Sequence, residues 1–168
     1  NHLKIWVLGN PTGEDAYSLS MLFHAFDFRE QTIQIIHSHH NYDALKKAQK
    51  GIYPTKHLEA IPSELWPLFF VKEGENMALN SEIKKNIIFD FYQPNQRYQP
   101  SDIDLIYAPN YLSAYSKEKE KVLKNMYRSL INKGILMLGL FENIEGFANT
   151  LKKYYIKNRL VFIKGVSE

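Results

Sequence analysis

The chain has 168 residues, 45% of them hydrophobic and 23% charged, with a formal net charge of +3 and no cysteine. That length buries a core without staples, and the lack of cysteine excludes disulfide and thiolate chemistry and favours a cytoplasmic setting. No apolar run approaches the ~18 residues of a membrane span, no signal peptide opens the chain, and the alternating charges of Lys117 to Lys121 read as a solvated helix face rather than a nucleic-acid-binding stripe.

Leu3 to Leu8 is a short apolar run closed by Gly9, the pattern of a buried strand. Thr12-Gly13-Glu14-Asp15 fits a capping box, and Ala16, Leu19, Leu22, Phe23 and Phe26 then recur at helical spacing. Thr32 to Ile36 is a β-branched strand, and Tyr42 to Lys50 a helix ended by Gly51. Ile87 to Phe91 and Ile103 to Ala108 read as strands. Leu123, Met126, Tyr127, Leu130 and Ile131 mark a second amphipathic helix, stopped by Asn132-Lys133-Gly134 before a strand from Ile135 to Leu140. Tyr154-Tyr155-Ile156, a Lys157-Asn158 turn and Leu160 to Ile163 predict a terminal hairpin.

Strand and helix alternate as in a mainly parallel α/β sheet covered on both faces. Between about 55 and 86 the rhythm gives way to aromatics, prolines and polar turns, read as an inserted element with β structure of its own. Such a sheet binds ligands at the carboxyl ends of its strands, which selects loops 9–15, 37–43, 92–95 and 108–115. The first of them lacks the Gly-Lys-Ser/Thr of a phosphate-binding P-loop and the Gly-x-Gly-x-x-Gly spacing of a dinucleotide site. Taken alone it reads equally as a tight turn with a capped helix.

The stretch "LKIWVLGNPTGEDAYSLSMLF" resembles the opening of the CheR-type chemotaxis methyltransferase domain. In order along the chain, Asp43 to Ala48 with Gly51-Ile52-Tyr53 resembles that family's helix and turn. Leu68-Phe69-Phe70 with Ile83-Lys84 and Ile87 to Phe89 follows, then Asp104 to Tyr107 with Asn110, then Gly134 to Gly139 with Glu142. The match runs from about Leu3 to Glu142. It implies a Rossmann-like S-adenosylmethionine methyltransferase fold with a small inserted β-subdomain, methylating glutamate side chains of receptor-like proteins in chemotaxis-type signalling. The catalytic domain would occupy 1–168 as one unit, without the family's N-terminal helical domain, and the chain, which opens Asn1-His2, would be a piece of a longer polypeptide. A glutamate is already ionised at neutral pH, so such a transfer needs positioning and no general base. No catalytic residue is assigned.

By the same resemblance the cofactor positions are Gly9, Thr12, Gly13, Glu14, His39, Gln93 and Asn110. His39 stands where the family has the aspartate that accepts from the ribose hydroxyls, and Asn41 where it has a second acid. Gln93, followed by Pro94, replaces an asparagine, Pro109 an arginine, and Ala114, or Tyr115 one place on, falls at the transfer-site tyrosine. A neutral imidazole offers one acceptor where a carboxylate offers several, so cofactor affinity is expected to suffer by about 1.5–3 kcal/mol. The cluster His37, His39, His40 raises zinc as another reading, but zinc wants three or four ligands, and only the distant Asp43, His57 or Glu59 remain to supply them; no metal is expected. Three functions stay open: a divergent protein carboxyl methyltransferase, a non-catalytic module that binds a protein through the inserted subdomain or an emptied pocket, and RNA methylation, for which no basic stripe or catalytic aromatic motif is present.

Overall fold

The computed structural model describes residues 2–26, 28, 32–96, 98–142, 144 and 151–165. In chain order they form β1 (His2–Val7), α1 (Glu14–Ala25), β2 (Thr32–His39), α2 (Tyr42–Lys50), β3 (Ile52–Pro54), α3 (Trp66–Phe69), β4 (Phe70–Glu73) and β5 (Asn76–Leu79). There follow α4 (Ser81–Lys84), β6 (Ile87–Phe91), β7 (Ile103–Ala108), α5 (Tyr111–Ala114), α6 (Lys119–Ser129), β8 (Leu130–Leu138), β9 (Leu151–Ile156) and β10 (Arg159–Lys164). Among these residues no helix is long and apolar enough to cross a membrane.

A seven-stranded sheet in the order β6-β2-β1-β7-β8-β10-β9 forms the centre. The first five of these strands are parallel, while β10 runs antiparallel to both β8 and β9. Side chains alternate across a strand, so β1 feeds two cores: Ile5 and Val7 pack with Ala16, Tyr17 and Met21 of α1, whereas Trp6 and Leu8 pack with Leu112, Leu123 and Met126 of α5 and α6. This is the doubly covered α/β sheet that the alternation of elements predicts. A separate antiparallel sheet, β3-β5-β4, lies between Ile52 and Leu79 and is the small β element expected in the insertion. It is tied down by the Tyr53 hydroxyl, which donates to the Thr12 carbonyl at 2.7 Å.

Four local expectations meet the structure differently. Helix α2 ends as its sequence says, with Gly51 left-handed at φ 63. The terminal hairpin also forms, its turn made by Lys157 and Asn158 at φ 44 and 61. By contrast, α6 stops at Ser129 and not at Ile131. Leu130 is already extended and pairs with Ile103, and its carbonyl accepts from the Lys164 ammonium at 2.6 Å. The Asn132-Lys133-Gly134 stretch is therefore an irregularity inside β8, with Lys133 at φ 65, rather than a helix stop. Helix α1 also buries a different stripe from the expected one: Ala16, Tyr17, Ser20 and Met21 face inward, while Leu22 and Phe26 are 51% and 72% exposed. Ser20 is drawn in because its hydroxyl donates to the Ile83 carbonyl at 2.7 Å, which docks α1 against α4.

Ile106, on the central strand β7, is fully buried, whereas Ile88 on edge strand β6 is 47% exposed. Ile106→Ala should cost about 2–5 kcal/mol of unfolding free energy in a urea titration, and Ile88→Ala less than about 1 kcal/mol. Equal losses would contradict the placement of these strands.

Candidate cofactor site at the carboxyl edge

All five parallel strands end on the same edge, and β1 lies between β2 and β7, whose chains cross over in opposite directions. That is the switch point at which open α/β sheets bind ligands. Three loops meet there: 8–13 after β1, 39–41 after β2 and 109–115 after β7.

The first loop is built around carboxylates. The capping box does not form: the N-cap of α1 is Gly13, at φ 88, with no side-chain cap hydrogen bond. The Thr12 hydroxyl instead lies 2.6 Å from both oxygens of Glu14, to which it donates, and Asp15 Oδ2 accepts from the Asn10 N–H at 2.5 Å. Gly9 is required for that contact, since a Cβ there would lie 2.1 Å from Asp15 Oδ2. Gly13 is required twice over, by its left-handed backbone and by the 3.0 Å from a would-be Cβ to Ala48. The result is a helix start already compensated by two acidic side chains, Glu14 and Asp15. It disfavours a phosphate and suits a ligand end that carries positive charge, as the sulfonium and ammonium of S-adenosylmethionine do.

The second loop starts from His39, the last residue of β2. Its Nδ1 accepts from the Asn41 N–H at 3.0 Å. A neutral ring with Nδ1 accepting carries its proton on Nε2, so what remains to face a ligand is one donor and no acceptor. Partial burial, and then the neighbouring His40, lower its pKa and keep it neutral. Asn41 works as the N-cap of α2, accepting from the Ala44 N–H at 3.0 Å. His40 stacks on His39 with centroids 4.4 Å apart, and its Nδ1 lies 3.0 Å from the Tyr115 hydroxyl. Because β2 and β7 flank β1, this contact spans roughly 10 Å of sheet and passes in front of the β1 loop. Tyr115, and not the exposed Ala114, is the residue that reaches the edge. Among the described residues no three or more His, Asp or Glu side chains converge as a metal set.

The third loop opens with Asn110, left-handed at φ 60. Glu142 clasps it from behind: one oxygen accepts from the Ser113 N–H at 3.0 Å, the other from the Gly139 N–H at 2.9 Å. A Cβ on Gly139 would lie 2.6 Å from Asn110 Oδ1, so the glycine admits the asparagine. Gln93 sits apart from these groups, in a turn after β6 where its N–H is taken by Gln96 Oε1 at 3.2 Å. That turn is anchored by buried Asn125, whose Nδ2 donates to the Tyr92 hydroxyl at 3.2 Å and the Pro94 carbonyl at 2.9 Å. Asn125 escaped the sequence reading because it lies mid-helix on α6, where an asparagine ordinarily faces solvent. Asp90, which accepts from Ser38 at 3.4 Å beneath the same edge, escaped it as one acid inside a strand.

Thus Gly9, Thr12, Gly13 and Glu14 form one loop, His39 and Asn110 flank it on neighbouring strands, and Gln93 lies one strand beyond His39. Beside Thr12 and Glu14 a cavity of about 210 Å³ opens toward the small sheet, lined also by Lys47, Lys50, Tyr53 and His57.

Residues 1–160 match the family described as CheR methyltransferase, SAM binding domain. The chain belongs to this family. It is 26% identical over 161 residues to the chemotaxis protein methyltransferase of Listeria monocytogenes, covering 92% of this chain and 61% of that protein. It is 26% identical over 149 residues to chemotaxis protein methyltransferase 2 of Pseudomonas aeruginosa, covering 84% and 53% respectively. The chain therefore spans between half and two thirds of the length of these relatives. Among solved structures, the CMeT domain of the citrinin polyketide synthase superposes with a TM-score of 0.59 at 14% identity, over the whole of this chain and 47% of that one, a likeness of fold. S-adenosylmethionine is the cofactor these comparisons support. The close-approach glycines and the two carboxylates of residues 9–15 are compatible in space and charge with its cationic amino-acid end.

Next to this loop sits His37, fully buried with no hydrogen-bond partner on either ring nitrogen. Burial holds its pKa down at about 4, and the Pro11 carbonyl and the Asp15 charge pull the other way only in part. The unfolded chain, with an ordinary value of about 6.5, binds the proton first. Stability from neutral His37 is therefore complete above about pH 6.5 and lost as pH falls toward 4, by roughly 3 kcal/mol. In urea titrations across that range, His37→Leu should remove this part of the acid sensitivity while costing little at pH 7. A variant with the wild-type slope would show that His37 is not the group responsible.

Proposed function

We propose that this CheR-type domain is the cofactor-binding part of a protein carboxyl methyltransferase whose hold on the cofactor is weakened at the ribose position. The observation that carries the proposal is His39 with its Nδ1 already committed to Asn41. S-adenosylmethionine, when bound, supplies an electrophilic methyl group on a sulfonium sulfur. Everything else falls to this chain's residues. Glu14 and Asp15 favour the cationic end by charge, Gly9 and Gly13 let the backbone come close, and Asn110 and Tyr115 border the side on β7. An acceptor glutamate, ionised at neutral pH, needs orientation and exclusion of water rather than a base. The cavity lined by Lys47, Lys50 and His57 next to Glu14 supports a carboxylate as the incoming group. The substrate class is then a glutamate-bearing, receptor-like protein, and the missing contacts belong to further domains of a longer polypeptide.

A second reading is a non-catalytic module that binds a protein partner through the inserted sheet. It is favoured by β4, an edge strand of that sheet, where Val71 is 61% exposed and nearby Leu68 44%. An extended peptide can add to such an edge.

Calorimetric titration with S-adenosylhomocysteine separates the two. The wild type should bind weakly or not at all, and His39→Asp should restore acceptors at the end of β2 and tighten binding by about 1–3 kcal/mol, roughly 5- to 150-fold. Micromolar binding by the wild type would remove the weakened-pocket proposal and leave a divergent, fully competent site. Silence from both proteins would favour the non-catalytic module. Weaker binding by the variant would mean that His39 does not occupy the ribose position.

A further inference from the structure

Strand β9 closes the large sheet at one end, and among the described residues nothing pairs with its outer side. It extends over six residues with no bulge or proline, and beyond Leu151 every one of them is exposed. An edge like this is ordinarily guarded by lysines, shortness or a bulge. Lys152 and Lys153 could serve as such guards, but the rest of the strand runs against a purely protective reading. Tyr154, Tyr155 and Ile156 are consecutive and 46%, 75% and 54% exposed.

Charge gives the second observation. From Leu151 to Lys164 there are five basic residues, Lys152, Lys153, Lys157, Arg159 and Lys164, and no Asp or Glu. With a net charge of +3 for the whole chain, the remainder is net negative, so the hairpin carries the positive excess. Lys164 is turned inward onto the Tyr127 and Leu130 carbonyls, but the other four face solvent. No stripe was visible in the linear pattern because the aromatics interrupt it.

We propose that β9 is a docking edge for an acidic, extended segment of a partner protein. The row of unpaired backbone groups on an edge strand matches another polypeptide, whereas nucleic acid and lipid headgroups match only the charge. A second copy of this chain would set one positive strip against another, which like-charge pairing disfavours. The side chains specify the partner further. Lys152, Tyr154 and Ile156 share one face of the strand and Lys153 and Tyr155 the other, so each face offers a cation beside an apolar surface. Continuing the antiparallel order of β8, β10 and β9, the partner would run apolar residues past Ile156, Tyr155 and Tyr154, then two adjacent acids past Lys153 and Lys152. The hairpin turn lies at the carboxyl edge of the parallel strands, so a docked segment would lead toward the loops after β7 and β8. The inference stands on the edge and its charge, independently of how well the cofactor binds.

A fluorescein-labelled peptide with a Val-Thr-Val-Glu-Glu core, titrated with the chain and followed by anisotropy, tests this. Its Val-Thr-Val-Lys-Lys counterpart should not bind. Lys152→Glu with Lys153→Glu should weaken the acidic peptide by about tenfold or more, leave the melting temperature unchanged, and gain binding to the lysine peptide. Lys152→Gln with Lys153→Gln should fall between. Amide hydrogen exchange should slow at residues 152–156 on binding, as backbone pairing requires. Absence of binding, protection elsewhere, or a charge reversal without effect would overturn the proposal. So would competition by single-stranded DNA or phosphatidylserine vesicles as strong as by unlabelled peptide, and so would protection of β9 through self-association alone.

Discussion

The parallel register of β2, β1 and β7 is the constraint on which the rest of the molecule depends. Trp6 lies between Ile36 on one side and Ile106 on the other, all of them nearly or fully buried. With β1 held there, the loops after three strands must emerge on one edge within about 10 Å. Asp15, Glu142 and Asn125 hold these segments from three directions: Asp15 accepts from the Asn10 N–H, Glu142 from the Ser113 and Gly139 N–H groups, and Asn125 donates to the Pro94 carbonyl. These bonds fix the loops to one another, and fixed loops are what a positioning site needs; among the described residues, His37 is the buried group beside them left without a partner.

Much of this was legible in the sequence, and the boundary has physical reasons. Patterns that reflect local chemistry came through: the apolar run of β1, Gly51 ending α2, the Lys157-Asn158 turn. Patterns settled by tertiary contacts did not. Leu130 continues the helical stripe of α6 by spacing, yet pairing with Ile103 and the Lys164 bond draw it into β8. Thr12 has the chemistry of an N-cap, yet two carboxylates compete for the same few atoms, and its hydroxyl goes to Glu14. Leu22 and Phe26 have the spacing of a core stripe on α1, but docking against α4 turns Ser20 inward instead. At the candidate site, the glycine loop and His39 could be placed at the carboxyl edge because family motifs fix their position in the chain. Glu142 was visible as part of a motif, without its clasping role. Asn125 carried no signal, and His37 was visible only as one of a histidine cluster, since nothing in a single sequence marks an asparagine or histidine as buried.

The chemistry of the edge is asymmetric. On the β1 side it offers two carboxylates, and on the β2 side it offers a neutral imidazole with a single donor. Under the proposed function, such an edge would keep the recognition of a cationic amino-acid end while giving up part of the recognition of the sugar. His39 Nδ1 is taken up locally by the Asn41 N–H. His40 and Tyr115 are joined across the front of β1.

Backbone amide NMR of the labelled chain during titration with S-adenosylhomocysteine tests this view most directly, because it reports where a ligand sits even when binding is weak. Shifts should concentrate at residues 9–15 and 109–115, with smaller changes at 39–41, and should leave 152–156 still. Shifts confined to the cavity lined by Lys47, Lys50 and His57, or scattered without focus over the sheet, would contradict the assignment of the carboxyl edge as the cofactor site.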